Sequence, residues 1–322
     1  MMDRCVRIAA VAIMLSLCLA GCSFAGPLQD DPRPEDDFTL SAGTSADSTV
    51  ETTAVPADTT APTCGETEPV QTVIQPEPDD GDFVKVAMYI PDMVVELRYS
   101  TTDNFTNQQI YSFADGWLRY GTVKKLMSVQ EELGQNGYSL KLWDGFRPPS
   151  AQYRLWEVCP DPVYVANPNS GFSSHSRGNT VDITLVHMDG TEVVMPTDFD
   201  DFSGLADRNY SDCGREAADN ALYLEQVMIK HGFKPYFGEW WHFTDMQTYP
   251  VEETFEPIEA AMYYADCNEY ISLRTKPSTG AEVITRIFTG EQFVAVANSG
   301  EFTLIEYQGL FGYVLSDYIK PC

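Results

Sequence analysis

Ser173-Ser174-His175-Ser176-Arg177-Gly178-Asn179-Thr180-Val181-Asp182-Ile183-Thr184-Leu185 changes its periodicity part-way along. Val181, Ile183 and Leu185 alternate with Asp182 and Thr184, which predicts a half-buried strand. Asp182 then projects away from the apolar side, where a carboxylate needs a partner or water. Upstream, His175 precedes a Gly178-containing turn. The stretch therefore predicts a turn running into a strand, with a histidine and a carboxylate near the junction. Taken alone, the pair fits a metal site and fits equally well a capped loop with a solvent-facing Asp.

Two other polar clusters lie on either side. In Trp143-Asp144-Gly145-Phe146-Arg147-Pro148-Pro149 an arginine ends a strand and two prolines follow, which holds it well for aiming charge into a cleft; pairing with Asp144 is the structural alternative. In Gly238-Glu239-Trp240-Trp241-His242-Phe243 a Glu and a His sit among aromatics. Apolar surroundings would raise the Glu239 pKa and suit it to acid–base work; the alternative is an aromatic core strand with two polar edges. The spacing is not the helical H-E-x-x-H pattern. Together the clusters say more than each alone. Two histidines and one carboxylate can supply three zinc ligands and leave a fourth position for water, with Glu239 to accept a proton and Arg147 to stabilise an oxyanion. The remaining histidines, His187 in a turn and His231 at a helix end, are not expected to bind metal.

Farther out, Val94, Leu97 and Tyr99 begin a structured region. Val123, Leu126, Met127 and Leu133 follow a helical period closed by Gly134 and Gly137, and Ala217, Ala221, Leu224 and Met228 mark a second helix stopped by Gly232. Residues 140–143 form a short strand candidate. Helices and strands mix without a βαβ rhythm, which predicts an α+β fold. Beyond residue 262, short β-rich runs at 282–288, 292–297, 303–307 and 312–315, separated by Gly-containing turns, predict a small barrel.

The chain has 322 residues and a formal net charge of −28, which argues against nucleic acid as a partner. Arg4 and Arg7 precede an apolar run over 8–20, too short for the about 20 residues of a membrane span and right for a secretory signal. Leu19-Ala20-Gly21-Cys22 resembles a bacterial lipobox, which implies removal of residues 1–21, diacylation of Cys22 and anchorage on the outer face of the cell membrane. Residues 22–80, rich in proline, threonine and acid with Arg33 the one basic residue, cannot bury enough surface to order and read as a tether with a coil reach of about 40 Å.

From about Val94 to Tyr249 the chain resembles the D-alanyl-D-alanine dipeptidases, zinc enzymes of vancomycin-resistance type. Tyr99-Ser100-Thr101-Thr102-Asp103-Asn104-Phe105-Thr106, Asp144-Gly145-Phe146-Arg147-Pro148, residues 173–185, Met195-Pro196-Thr197-Asp198-Phe199-Asp200 and residues 239–242 carry the likeness; Thr180 stands where the family usually has Ala. The resemblance implies a hedgehog-like zinc D,D-peptidase domain over 81–255. It implies zinc on His175, Asp182 and His242, Glu239 as general base and then acid, and Arg147 on the tetrahedral intermediate. It also implies Tyr99 and Asp200 on the substrate ammonium, with Ser173 at its carboxylate end. The expected reaction is hydrolysis of D-Ala-D-Ala or a similar D,D-dipeptide. The alternatives are a D,D-carboxypeptidase trimming peptidoglycan stem peptides and an inactive wall-binding lipoprotein. Residues 262–322 resemble a bacterial SH3 domain through Leu273-Arg274, Pro277-Ser278, Gly290 and Gly309-Leu310-Phe311-Gly312-Tyr313-Val314, which implies peptidoglycan as a partner. Because the ends of such a fold lie close together, Cys267 and Cys322, which flank it, are expected to pair.

Metabolic labelling with a tagged fatty acid should mark the wild-type chain and not Cys22→Ser; an unlabelled wild-type chain would remove the lipid anchor, and equal labelling of both would move it away from Cys22.

Overall fold

The structure, a computed structural model, describes residues 74–322 apart from Val163. The expected signal segment, Cys22, and the tether up to residue 73 lie outside the described residues. The described chain opens on β1 (Phe83–Lys85), a helical turn α1 (Val86–Tyr89), β2 (Val94–Val95) and β3 (Trp117–Arg119), which pairs with β1. Helix α2 (Tyr120–Gly134) leads to β4 (Tyr138–Asp144), α3 (Pro149–Val158), β5 (Thr180–His187), α4 (Arg215–Lys230), β6 (Phe233–Pro235) and β7 (His242–Asp245). The main sheet runs β2-β4-β5-β7-β6, parallel at β2–β4 and antiparallel elsewhere. This is the α+β architecture the sequence predicts.

The helices follow from their apolar spacing. Val123, Leu126, Val129 and Leu133 of α2 are buried, while Met127, which the sequence places with them, faces outward. Ala217, Ala221, Leu224 and Met228 of α4 are buried as expected, with Val227 beside them. Helix α3 was not legible from spacing; Pro149 occupies its first turn, where a missing N–H costs nothing, and Ala151, Gln152 and Leu155 point inward.

Strand β5 departs from expectation. It is buried on both faces from Thr180 to Val186, not half-buried. Its second face meets protein partners rather than water: Asp182 faces His175 and His242, and the Thr180 hydroxyl hydrogen-bonds to that of Thr244 at 3.0 Å.

The C-terminal part is a seven-stranded antiparallel sheet in the order β10-β9-β13-β12-β11-β8-β14. Its strands are β8 (Phe255–Ala265), β9 (Tyr270–Arg274), β10 (Val283–Phe288), β11 (Gln292–Ser299), β12 (Phe302–Tyr307), β13 (Leu310–Leu315) and β14 (Ile319–Pro321). It closes on its own small core of Ile271, Leu273, Ile287, Phe293, Ile305 and Val314. Strand β8 crosses the interval between the two domains drawn from sequence, because its first residue, Phe255, belongs to the core of the catalytic part.

Residues 75–80, which the sequence assigns to the end of the tether, lie against the fold. Gln75 Nε2 donates to Phe311 O at 3.1 Å and its Oε1 accepts from Phe311 N at 2.7 Å. Asp79 and Asp82 both pair with Lys276, and Asp80 O accepts from Gly121 N at 3.0 Å. Composition missed this because the anchors are scattered polar contacts, not a buried apolar period.

The expected Cys267–Cys322 disulfide is absent: both thiols are free. The register Ile319↔Ala265, Lys320↔Tyr264, Pro321↔Tyr263 carries Cys322 back along β8 to Met262, whose carbonyl accepts from Cys322 N at 3.0 Å, while Cys267 lies in the other direction, past Ala265. Five residues of extended chain span about 17 Å, against a limit of about 7 Å between bridged Cα atoms. Native, unreduced protein should therefore alkylate at both positions with iodoacetamide; a linked Cys267–Cys322 peptide in a non-reducing digest would contradict this register.

Candidate active site

The turn Ser174–Arg177 carries His175. Ser173 caps it, its Oγ accepting from His175 N at 3.4 Å, and Gly178 ends it in the left-handed region at φ 75°. A Cβ at Gly178 would lie 2.4 Å from the Phe83 ring, so both the backbone angle and the space require glycine. Strand β5 then presents Asp182. The register sets Asp182 opposite Asp144 on β4 and opposite His242 on β7, so three polar side chains form one row across the sheet.

His175, Asp182 and His242 converge. His175 Nε2 lies 3.3 Å from Asp182 Oδ2 and 3.4 Å from His242 Nδ1, and His242 Nδ1 lies 3.0 Å from Asp182 Oδ1. Among the described residues these form the one group with metal-ligand geometry. The donor chemistry points the same way. His175 Nδ1 is 2.8 Å from Gly145 O, a carbonyl that can only accept, so the ring proton sits there and Nε2 turns a lone pair inward. Asp182 Oδ1 is buried with no hydrogen-bond partner. Donors at the corners of a tetrahedron around a zinc ion at about 2.0–2.1 Å stand about 3.4 Å apart, close to the separations found here. Two imidazole nitrogens and a buried carboxylate facing one another are a donor set that could hold a metal ion.

Charge adds to this. Burial acts to lower the His175 pKa, but Asp182 and Asp144 outweigh it and the pKa is raised. Burial acts to raise that of Asp182, and the two histidines outweigh it and hold the carboxyl well below the usual range. Glu239, in the turn before β7 and about one-third exposed, reaches His242 Nδ1 at 3.4 Å. Burial pushes its carboxyl above the ordinary value, against the pull of His242. Behind it, Trp240 and Trp241 are fully buried, and Trp240 Nε1 donates to Thr197 Oγ1 at 2.9 Å.

Arg147 makes the pairing that the sequence offers as its structural alternative. It is paired with Asp144, Nε donating to Oδ2 at 2.9 Å, and Nη1 donates to Gln152 Oε1 at 3.1 Å; its guanidinium also lies 5.0 Å over the Tyr99 ring. Tyr99 OH donates to Asp200 Oδ2 at 2.7 Å. Asp200 sits at φ 54°, and burial holds its carboxyl well above the usual range; the Tyr99 hydrogen bond lowers it, while Asp182 and Glu239 raise it. Ser173 is seated by the His175 turn rather than by the Tyr99–Asp200 pair. His187 stacks on Tyr138 and His231 bonds Glu132 at 2.6 Å, both elsewhere in the fold.

Sequence reasoning gave Asp144 no role beyond a partner for Arg147. Its Oδ1 also accepts from Tyr111 OH at 2.9 Å, and Oδ2 lies 3.6 Å from His175 Nδ1, so one buried carboxylate orients both the arginine and the histidine. Its position three residues before Arg147 was the available signal.

The family model for D-Ala-D-Ala dipeptidases, within the M15 peptidases, matches residues 79–260, and the model for a bacterial SH3 domain matches 269–320. The chain is similar to a D-alanyl-D-alanine dipeptidase of Escherichia coli K12, at 34% identity over 175 residues that cover 54% of this chain and 90% of that protein. Similar proteins of the same name occur in Enterococcus faecalis, at 32% identity covering 46% and 83%, and in Streptomyces coelicolor, at 31% identity covering 54% and 96%.

Asp144→Ala should cost about 3–5 kcal/mol of unfolding free energy in urea, because it strands the Arg147 guanidinium in a buried site. A loss under about 1 kcal/mol would mean that water reaches the guanidinium freely.

Proposed function

The chain belongs to the D-alanyl-D-alanine dipeptidase family, and from that premise we propose that it is a zinc-dependent dipeptidase that hydrolyses D-Ala-D-Ala or a similar D,D-dipeptide to free amino acids. The observation that carries this is the convergence of His175 Nε2, His242 Nδ1 and the Asp182 carboxylate beside Glu239. His175, Asp182 and His242 would hold the zinc. When bound, zinc supplies Lewis acidity and makes water nucleophilic at neutral pH.

The protein's own groups do the rest. Glu239, with its pKa raised, accepts a proton from the attacking water and returns it to the leaving amine. Arg147, fixed by Asp144 and Gln152, keeps its charge in place for the oxyanion, so it needs no reorganisation as charge develops. Asp200, held by Tyr99, is a carboxylate in surroundings that favour a counter-cation, which suits a free N-terminal ammonium. That preference favours dipeptides over longer chains. Ser173, at the mouth of the turn, is assigned to the substrate carboxylate.

The match to a bacterial SH3 domain supports peptidoglycan as a binding partner and favours, as the second reading, removal of terminal D-Ala from stem peptides. With the signal and lipobox-like segments, it supports an exported enzyme anchored outside the membrane, which would act on wall fragments rather than on a cytoplasmic pool.

Purified protein should contain one zinc, lose activity to a chelator and regain it on adding zinc. It should cleave free D-Ala-D-Ala faster than an N-blocked tripeptide; the reverse order would favour the carboxypeptidase. Glu239→Ala should keep zinc and lose about 10²–10⁴-fold in kcat. Near-normal turnover would exclude Glu239 as the base, and absence of zinc with no activity on adding it would favour the inactive wall-binding lipoprotein.

A further inference from the structure

The turn that carries His175 is suspended from a side chain outside the site. Arg119, the last residue of β3, is only 7% exposed. Its backbone N donates to Gly178 O at 2.8 Å and its Nε to Arg177 O at 3.0 Å. Nη1 donates to Gly81 O at 2.7 Å and Nη2 to Glu252 Oε2 at 3.2 Å. Glu252 in turn donates its backbone N to Ser176 O at 2.8 Å. Three consecutive carbonyls, those of Ser176, Arg177 and Gly178, are thus held by the Arg119–Glu252 pair. The Arg119 guanidinium lies 4.0 Å over the Phe83 ring, the same ring that packs against Gly178.

Both far ends of this hub lead to the C-terminal sheet. Glu252 Oε1 accepts from Thr254 N and Phe255 N at 2.9 and 3.0 Å, which sets the start of β8. Phe255 stacks on Phe83 with ring centroids 4.4 Å apart. Gly81 belongs to the N-terminal segment that Lys276 grips through Asp79 and Asp82 and that Gln75 fastens to Phe311. A planar fork with five N–H groups can serve several acceptors in fixed directions, whereas a lysine ammonium is a single point charge on a flexible stem.

We infer that Arg119 is a positioning residue for the metal site, joining the turn that presents His175 to the N-terminal strap at Gly81 and, through Glu252, to the first strand of the SH3-like domain. It touches neither metal ligand atoms nor the substrate residues assigned above; it acts on the backbone that aims His175. The inference rests on the zinc site proposed above. The SH3-like domain is then a structural part of the peptidase, whatever it binds.

The test is a zinc competition titration against a chromophoric chelator on the purified full chain, with the cobalt-substituted absorption spectrum and the thermal midpoint recorded in parallel. Arg119→Ala should weaken zinc binding by about 10–100-fold, the range for residues that orient ligands from behind. Arg119→Lys should recover only part of that, and Glu252→Gln should weaken binding in the same direction by less. The cobalt spectrum should change with the affinity. Arg119→Lys and Glu252→Gln decide the matter if Arg119→Ala fails to fold. Folded variants that bind zinc like wild type with an unchanged cobalt spectrum, whatever their thermal midpoint, would overturn the positioning role and leave the zinc site standing. A wild-type chain that takes up no zinc would overturn the zinc site, and this inference with it.

Discussion

Asp144, Asp182 and His242 stand in one row across β4, β5 and β7, and that row depends on register. Side chains alternate along a strand, so a slip of one residue would turn Asp182 into the apolar core and Val181 into the site. Two features pin it. An irregularity between Leu142 and Asp144 aligns Asp144 with Asp182, and the apolar face of β5, Val181, Ile183 and Leu185, is buried against the domain core. Hydrophobic burial thus decides where the charged atoms point. The fold buries a row of polar side chains that desolvation penalises, and the surrounding core supplies the stability that this arrangement costs.

Much of this was legible from sequence because the chemistry-bearing residues sit at ends of strands with strong local patterns. The alternation at 181–185 gave β5. Features set by distant partners were not legible. No local period shows that β5 is buried on both faces, since that follows from Asp182 and Thr180 finding partners on β7 and in the His175 turn. Arg119 follows Trp117 and Leu118 and precedes a helix; nothing nearby marks it as a hub, because its partners lie at Gly81, Arg177 and Glu252. The cysteine pairing failed for a related reason. The ends of the SH3-like segment do meet, but β14 runs antiparallel to β8, so it carries Cys322 back to Met262 while the chain carries Cys267 onward past Ala265.

The catalytic and SH3-like parts share more than a linker. Phe83, Phe146, Trp117 and Phe255 form one aromatic cluster beneath the His175 turn, with Phe146 lying between Gly145 and Arg147 in the chain. Aromatic pairs of this kind contribute about 0.5–1.5 kcal/mol each beyond their buried area. The cluster ties the geometry of the site to a residue that opens the second sheet, and the peptidase match ends at residue 260, inside the strand that begins that sheet.

The pairing of β8 also has a consequence for the order of assembly. Its partners are β11, which follows at Gln292–Ser299, and β14, at Ile319–Pro321. A growing chain therefore makes the row of Asp144, Asp182 and His242, and then Glu252, before it makes either strand that can cover β8. Domains tend to fold as units in the order of synthesis. The peptidase core can then collapse while β8 still projects as an unpaired edge, which makes the interval before residues 319–321 emerge the time when the nascent chain is most open to wrong strand pairing.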